Sequence, residues 1–267
     1  MSASPGFHGP RALLLDADGS LFPSEEPAFT ASAGVTNRFL ASLGVPGTVT
    51  AEHLLATSTG RNFRATALDL ALAAGVPADA SLVPADGTAG YPGTRPVLTA
   101  ALLDQWVAEE NRVVTDYLAQ VLRPDPAVLE PVRRLAERYR LAAVSSSALS
   151  RLDACFRATG LDELIPGACR FSAEDSLPRP ASKPRPDVYR LAGERMRVTA
   201  GQAFAVEDSV PGVQSAVGAG FATVGNLPFV RPAERPSRHA ALASAGAVRT
   251  AESWDEIAGM LLHPAPA

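Results

Sequence analysis

Four short runs in this chain are apolar almost without interruption: Ala12–Leu15, Leu141–Val144, Phe204–Val206 and Ala222–Val224. A strand of that kind has no polar side to turn toward water. It belongs in a sheet covered on both faces, which in practice means a parallel sheet flanked by helices. The intervening sequence agrees. Residues 127–140 place Val128, Leu129, Val132, Leu135 and Ala136 at helical spacing, with Arg138 and Arg140 expected in the last turn, where cations favour the helix dipole. Further helices are expected over Leu149–Thr159, Asp187–Met196 and Val210–Ala219, the last ended by Gly220. Strands alternating with helices predict an α/β fold with a doubly wound parallel sheet. Residues 231–239 read as an exposed loop, followed by a last strand near Ala247–Arg249 and a closing helix over Ser253–Leu262.

Residues 16–140 separate the first strand from the second, far more than a crossover needs. That stretch carries its own helical patterns, over Pro27–Leu43, Ala51–Ala56, Arg61–Ala74 and Val97–Leu122. Breaks fall at Gly44–Gly47, at Gly75–Pro77 and in a loose segment over 84–96. The expected organisation is a core made of residues 1–20 and 124–267, with a helical cap inserted as residues 21–123. Glu25 and Glu26 should open the first cap helix, and Trp106 and Tyr117 should pack on the long one.

Composition narrows the function. A net charge of -4 offers no basic field for a polyanion, so no nucleic-acid partner is expected. No run approaches the length of a membrane span, and the first residues do not read as a secretion signal, so no membrane partner is expected either. Two cysteines, Cys155 and Cys169, are too few for a disulfide framework and fit a reducing compartment; the protein is expected in the cytoplasm, as a monomer or homodimer. Cys155 is expected as a buried thiol. Four scattered histidines give no zinc pattern. Lys183 is the only lysine, and every other one of the 24 basic residues is arginine. A lone ammonium points to a place where a planar guanidinium would not do.

In an open α/β sheet, ligands bind beyond the carboxyl ends of the strands. The first strand ends in Asp16-Ala17-Asp18-Gly19-Ser20, the second in Ser145-Ser146-Ser147 and the third in Glu207-Asp208-Ser209, with Lys183 on a loop of the same edge. In extended backbone, Asp16 and Asp18 would project to the same side. Two such anions repel unless a cation lies between them and further carboxylates. Glu207 and Asp208 supply those, and the oxygen-rich set suits Mg²⁺. Lys183 with the hydroxyls of Ser145 and Ser146 offers donors to an anion beside the metal, which suggests phosphate, with Asp16 as a nucleophile forming an aspartyl-phosphate. Ser209, followed by Pro211 and Gly212, reads instead as a helix N-cap.

The motifs "LLLDADGS", "LAAVSSS", "SKPRPDVY" and "AVEDSVPGVQSAVGAG" occur in this order, and with them the chain resembles the haloacid dehalogenase superfamily. The last motif is similar to wording typical of the β-phosphoglucomutase-like branch, which contains phosphatases and sugar-phosphate mutases with a helical cap. The resemblance implies a small phosphorylated metabolite as substrate. It implies Asp16 as nucleophile and Mg²⁺ ligand, and Asp18 as the general acid and base whose backbone carbonyl reaches the metal. Ser145 and Lys183 would hold the phosphoryl group, Asp208 would ligate Mg²⁺ directly, and Glu207 directly or through water. Arg61 and Arg64, after Thr59-Gly60, stand where capped relatives carry substrate-contacting loops.

Departures from the pattern sort the alternatives. Mutases of the branch carry a histidine on the first cap helix, and residues 25–43 contain none. Asp18 sets the chain apart from dehalogenases and phosphonatases of the superfamily, which lack an acid there. A phosphatase is therefore expected ahead of a phosphomutase or a non-catalytic sugar-phosphate-binding protein. A serine hydrolase built on Ser146 lacks both the GxSxG elbow and a suitably placed histidine.

Overall fold

The computed structural model describes residues 11–59, 61–82 and 96–263. The chain divides into two compact units, Met1–Pro23 with Arg123–Ala267, and Ser24–Leu122. The first unit holds six parallel strands: β1 (Ala12–Leu15), β2 (Arg140–Ser145), β3 (Arg170–Ser172), β4 (Ala203–Glu207), β5 (Ala222–Asn226) and β6 (Arg249–Ala251). Their spatial order is β3-β2-β1-β4-β5-β6. The winding reverses between β1 and β4, so the central cleft of a doubly wound sheet lies there.

All four residues of β1 are fully buried, as an uninterrupted apolar strand demands. Each of its leucines contributes about 1.5–3 kcal/mol of burial. On one face the strands pack through Leu14, Val144, Phe171 and Ala205 against Val188, Tyr189 and Ala192 of a helix, Asp187–Met196. The remaining helices of this unit run over Pro126–Ala136, Leu149–Thr159, Val210–Gly218, Arg235–Ser244 and Trp254–Leu262.

The second unit is helical, over Glu25–Ser42, Ala51–Ser58, Phe63–Ala73 and Ala100–Val121. Its core gathers Val35, Phe39, Leu43, Ala67 and Leu103, with Trp106 edge-on to Phe39 at 6.1 Å. These helices start where side chains cap them: Thr50, Asn62 and Thr99 each accept from a backbone N–H one turn on.

Several sequence expectations need correction. The helix beginning at Pro126 ends at Ala136, so Arg138 lies in a turn and Arg140 opens β2; Arg133 and Arg134 are the cations of its last turn. Residues 231–239 are not a loop: a 3-10 turn, Pro232–Glu234, runs into the helix Arg235–Ser244, whose Pro236 sits in the first turn, where a missing N–H costs nothing. The last strand falls two residues later than expected, and β3 was not foreseen. Tyr117 does not pack in the core but is 38% exposed. Cys155 is fully buried as expected. The loop expected over 84–96 falls, but for Pro96, outside the described residues. Among the described residues no helix is long and apolar enough to cross a membrane.

Candidate active site

The ends of β2, β1 and β4 lie side by side. Leu15 pairs with Ala143 on one side and Val206 on the other, so the next residue, Asp16, comes level with Val144 and Glu207. Its backbone N–H donates to Val206 O at 2.9 Å. The strand stops here: the chain turns at Gly19, whose φ of +77° is one that glycine adopts without strain. Asp18 therefore lies beyond the strand, and its orientation is set by the turn rather than by β alternation.

Lys183 reaches this point from the segment preceding the helix Asp187–Met196, and only 1% of its side chain is exposed. Its Nζ donates to Asp16 Oδ1 at 2.5 Å, to Glu207 Oε1 at 2.6 Å and to Val144 O at 2.9 Å. Three acceptors around one nitrogen use all three N–H bonds of an ammonium, a geometry that a planar guanidinium cannot match. Glu207 Oε1 also accepts from the Tyr189 hydroxyl at 2.6 Å. Burial and the neighbouring Glu207 push the Tyr189 hydroxyl upward in pKa, so it stays a donor.

The charge balance is uneven. Burial above all, and then the charge of Glu207, raise the Asp16 carboxyl well above the usual range, against the pull of Lys183. For Lys183, burial alone would lower its pKa, but Asp16 and Glu207 outweigh it and hold the group cationic. Asp16, Glu207 and Asp208 are all buried, and each brings a carboxylate oxygen within 4.8 Å of the others. Asp16 Oδ2 and Glu207 Oε2 are buried without a hydrogen-bond partner. Three clustered carboxylates, only two of them bonded to the ammonium and with orphaned oxygens among them, fit a hard divalent cation with oxygen ligands.

Asp18 is held separately. Its Oδ2 accepts from Ser145 Oγ and from Ser147 Oγ, each at 2.9 Å. Ser145 Oγ also accepts from the Ser147 N–H, which fixes the turn after β2. Ser146 Oγ accepts from the Lys183 backbone N–H at 3.4 Å. None of the three serines caps the following helix by its side chain; Leu149 N–H is instead bound by Asp175, at 2.6 Å, from the loop after β3. Ser209 does act as an N-cap, accepting from Gly212 N–H at 3.1 Å.

The structure thus brings together Asp16, Lys183, Glu207 and Asp208 as one buried cluster, with Asp18 bonded to Ser145. Arg61 and Arg64 belong to the helical unit, where Arg61 pairs with Asp69 at 2.6 Å and Arg64 with Asp104 at 2.7 Å. Two participants were not singled out from sequence, Ser147 and Tyr189. Both stand inside quoted motifs, but only the fold reveals that one meets Asp18 and the other Glu207.

A family model described as haloacid dehalogenase-like hydrolase matches residues 10–220. No curated protein gives a significant sequence match. Among solved structures, a CbbY variant from Rhodobacter sphaeroides in complex with xylulose-(1,5)bisphosphate is similar at 23% identity and a TM-score of 0.64, covering 92% of this chain and 96% of that one. A hydrolase of the same family from Deinococcus radiodurans, with bound phosphate and sodium, has 25% identity and a TM-score of 0.58 over 97% of this chain and 100% of its own. A predicted phosphoglycolate phosphatase from Haemophilus somnus has 20% identity and a TM-score of 0.63, with coverage of 93% and 96%. The model spans most of the chain and its fold is that of these neighbours: the chain belongs to the haloacid dehalogenase-like hydrolases.

Proposed function

We propose that this hydrolase is a Mg²⁺-dependent phosphatase that cleaves a phosphomonoester of a small metabolite, a sugar phosphate or similar, through an aspartyl-phosphate on Asp16. The observation that carries this reading is the state of Asp16: buried at the tip of β1, with Oδ1 tied to Lys183 and Oδ2 unpartnered. The phosphate in the Deinococcus structure and the bisphosphate in the Rhodobacter one agree with an anionic phosphoester ligand.

Asp16 Oδ2 is the attacking oxygen. As it bonds to phosphorus, the ester P–O bond breaks, and protonated Asp18 gives its proton to the leaving alcohol. Asp18, now a carboxylate, takes a proton from water, whose oxygen attacks the phosphorus of the aspartyl-phosphate. Inorganic phosphate leaves and Asp16 is restored. The hydroxyls of Ser145 and Ser147 hold Asp18 for both transfers, and Lys183 offsets charge beside the nucleophile. Asp16, Asp208 and the Asp18 carbonyl would hold Mg²⁺, with Glu207 directly or through water, and the ion would supply positive charge to the phosphoryl oxygens.

A panel of phosphorylated metabolites assayed with and without Mg²⁺ tests this. Release of inorganic phosphate that requires Mg²⁺ and vanishes in Asp16→Asn is expected. Release undiminished in Asp16→Asn would defeat the mechanism, and isomer formation without phosphate release would make the protein a mutase.

A further inference from the structure

Tyr189 lies in the first turn of the helix Asp187–Met196 and is fully buried. The Lys183 nitrogen stands 5.4 Å from the centre of its ring. Its hydroxyl and the Lys183 ammonium donate to one and the same oxygen, Glu207 Oε1, each at 2.6 Å. Glu207 and Asp16 in turn compete for that ammonium.

An oxygen that accepts two donors grips each less tightly than it would grip one. The Tyr189 hydroxyl therefore relaxes the hold of Glu207 on Lys183 and leaves more of the ammonium's charge to Asp16. It also fixes the rotation of the Glu207 carboxylate, whose other oxygen lies against Gly212, where a Cβ would come within 1.7 Å. A phenylalanine would fill the same space and leave Glu207 free to turn and draw the lysine away. We propose that Tyr189 is a positioning residue that, through Glu207, keeps the Lys183 ammonium on Asp16. Its kinetic consequence rests on the phosphatase reading above; the contact itself does not.

Lys183 is the only lysine, so protein labelled with 15Nζ-lysine gives a single side-chain ammonium resonance. In Tyr189→Phe this resonance should shift and exchange faster with water. On the best substrate of the panel, kcat should fall about ten-fold while KM changes less than about two-fold, the pattern of an interaction used in the transition state. Tyr139→Phe is the matched control: it removes a hydroxyl that donates to Leu261 O at 2.7 Å, outside the cluster, and should leave resonance and kcat unchanged.

An unchanged ammonium resonance in Tyr189→Phe overturns the proposal. So does a changed resonance with kcat and KM intact, which would make the hydroxyl merely structural. Should Tyr189→Phe not fold, the wild-type protein still decides: the Tyr189 hydroxyl proton must exchange slowly and show a nuclear Overhauser contact to the ammonium, and its absence refutes the arrangement. A wild type inert toward the whole panel removes the phosphatase reading, and the ammonium resonance alone then decides the role of Tyr189.

Discussion

Lys183 sits where three acceptors converge on one nitrogen, with two of them carboxylates. Lys183→Met leaves Asp16 and Glu207 buried without their shared cation, which should cost about 3–5 kcal/mol. Urea unfolding should show the loss, Mg²⁺ should reduce it, and Lys183→Arg should not restore activity; a midpoint equal to wild type in Lys183→Met would contradict the assigned balance. Gly212 is required for space. A methyl there would stand 1.7 Å from Glu207 Oε2, so Gly212→Ala should displace the carboxylate, lower stability by about 1–3 kcal/mol and depress activity. Thermal melts with parallel phosphate assays check both effects. At this scale, the acids and the lysine could be read from their types and their places beyond apolar runs. Ser147 and Tyr189 could not, because a serine in a turn and a tyrosine on a helix acquire meaning only from partners that the fold brings near.

The strands were legible because continuous apolar runs have only one comfortable environment, and the cap at Ser209 was legible from its residue type and the Pro211 and Gly212 that follow, whereas the long helix expected from Val97 starts only at Ala100, behind the cap Thr99. The cap of the helix Val210–Gly218 matters most, since that helix directly follows Asp208. Ser209→Ala should cost about 1 kcal/mol, read as a lowered denaturation midpoint with the cooperativity of unfolding unchanged. Other ends escaped local reading. Arg138 and Arg140 looked like the cations of a last turn, yet the chain leaves the helix at Ala136 because Arg140 must already be extended beside β1. The helix Arg235–Ser244 was hidden by Pro232 in the turn before it and by Pro236, which belongs to its own first turn. β3 offers only Arg-Phe-Ser, too short for any periodicity, and takes its place through pairing with β2. Asp175 capping Leu149 joins two separate loops, a relation no local pattern encodes.

For the molecule as a whole, alternation of strand and helix announced the fold class, whereas the order of the strands follows from the winding and had to be seen. On the proposed reading Mg²⁺ binds the buried acidic cluster of the folded state alone, so the ion should stabilise the protein by about 2.7 kcal/mol at a hundred-fold excess over its dissociation constant. Scanning calorimetry should show a rise with Mg²⁺, its reversal by EDTA and its loss in Asp208→Asn. No rise in the wild type would count against the metal site. Cys155 should resist alkylation until the protein unfolds, because burial raises its thiol far above the pH at which thiolates form. Enclosing the one lysine has a last effect, on the exterior. Imidazoles aside, every cation that a side chain can offer to solvent is a guanidinium, so amine cross-linkers and enzymes that conjugate to lysine would find no lysine on the folded surface.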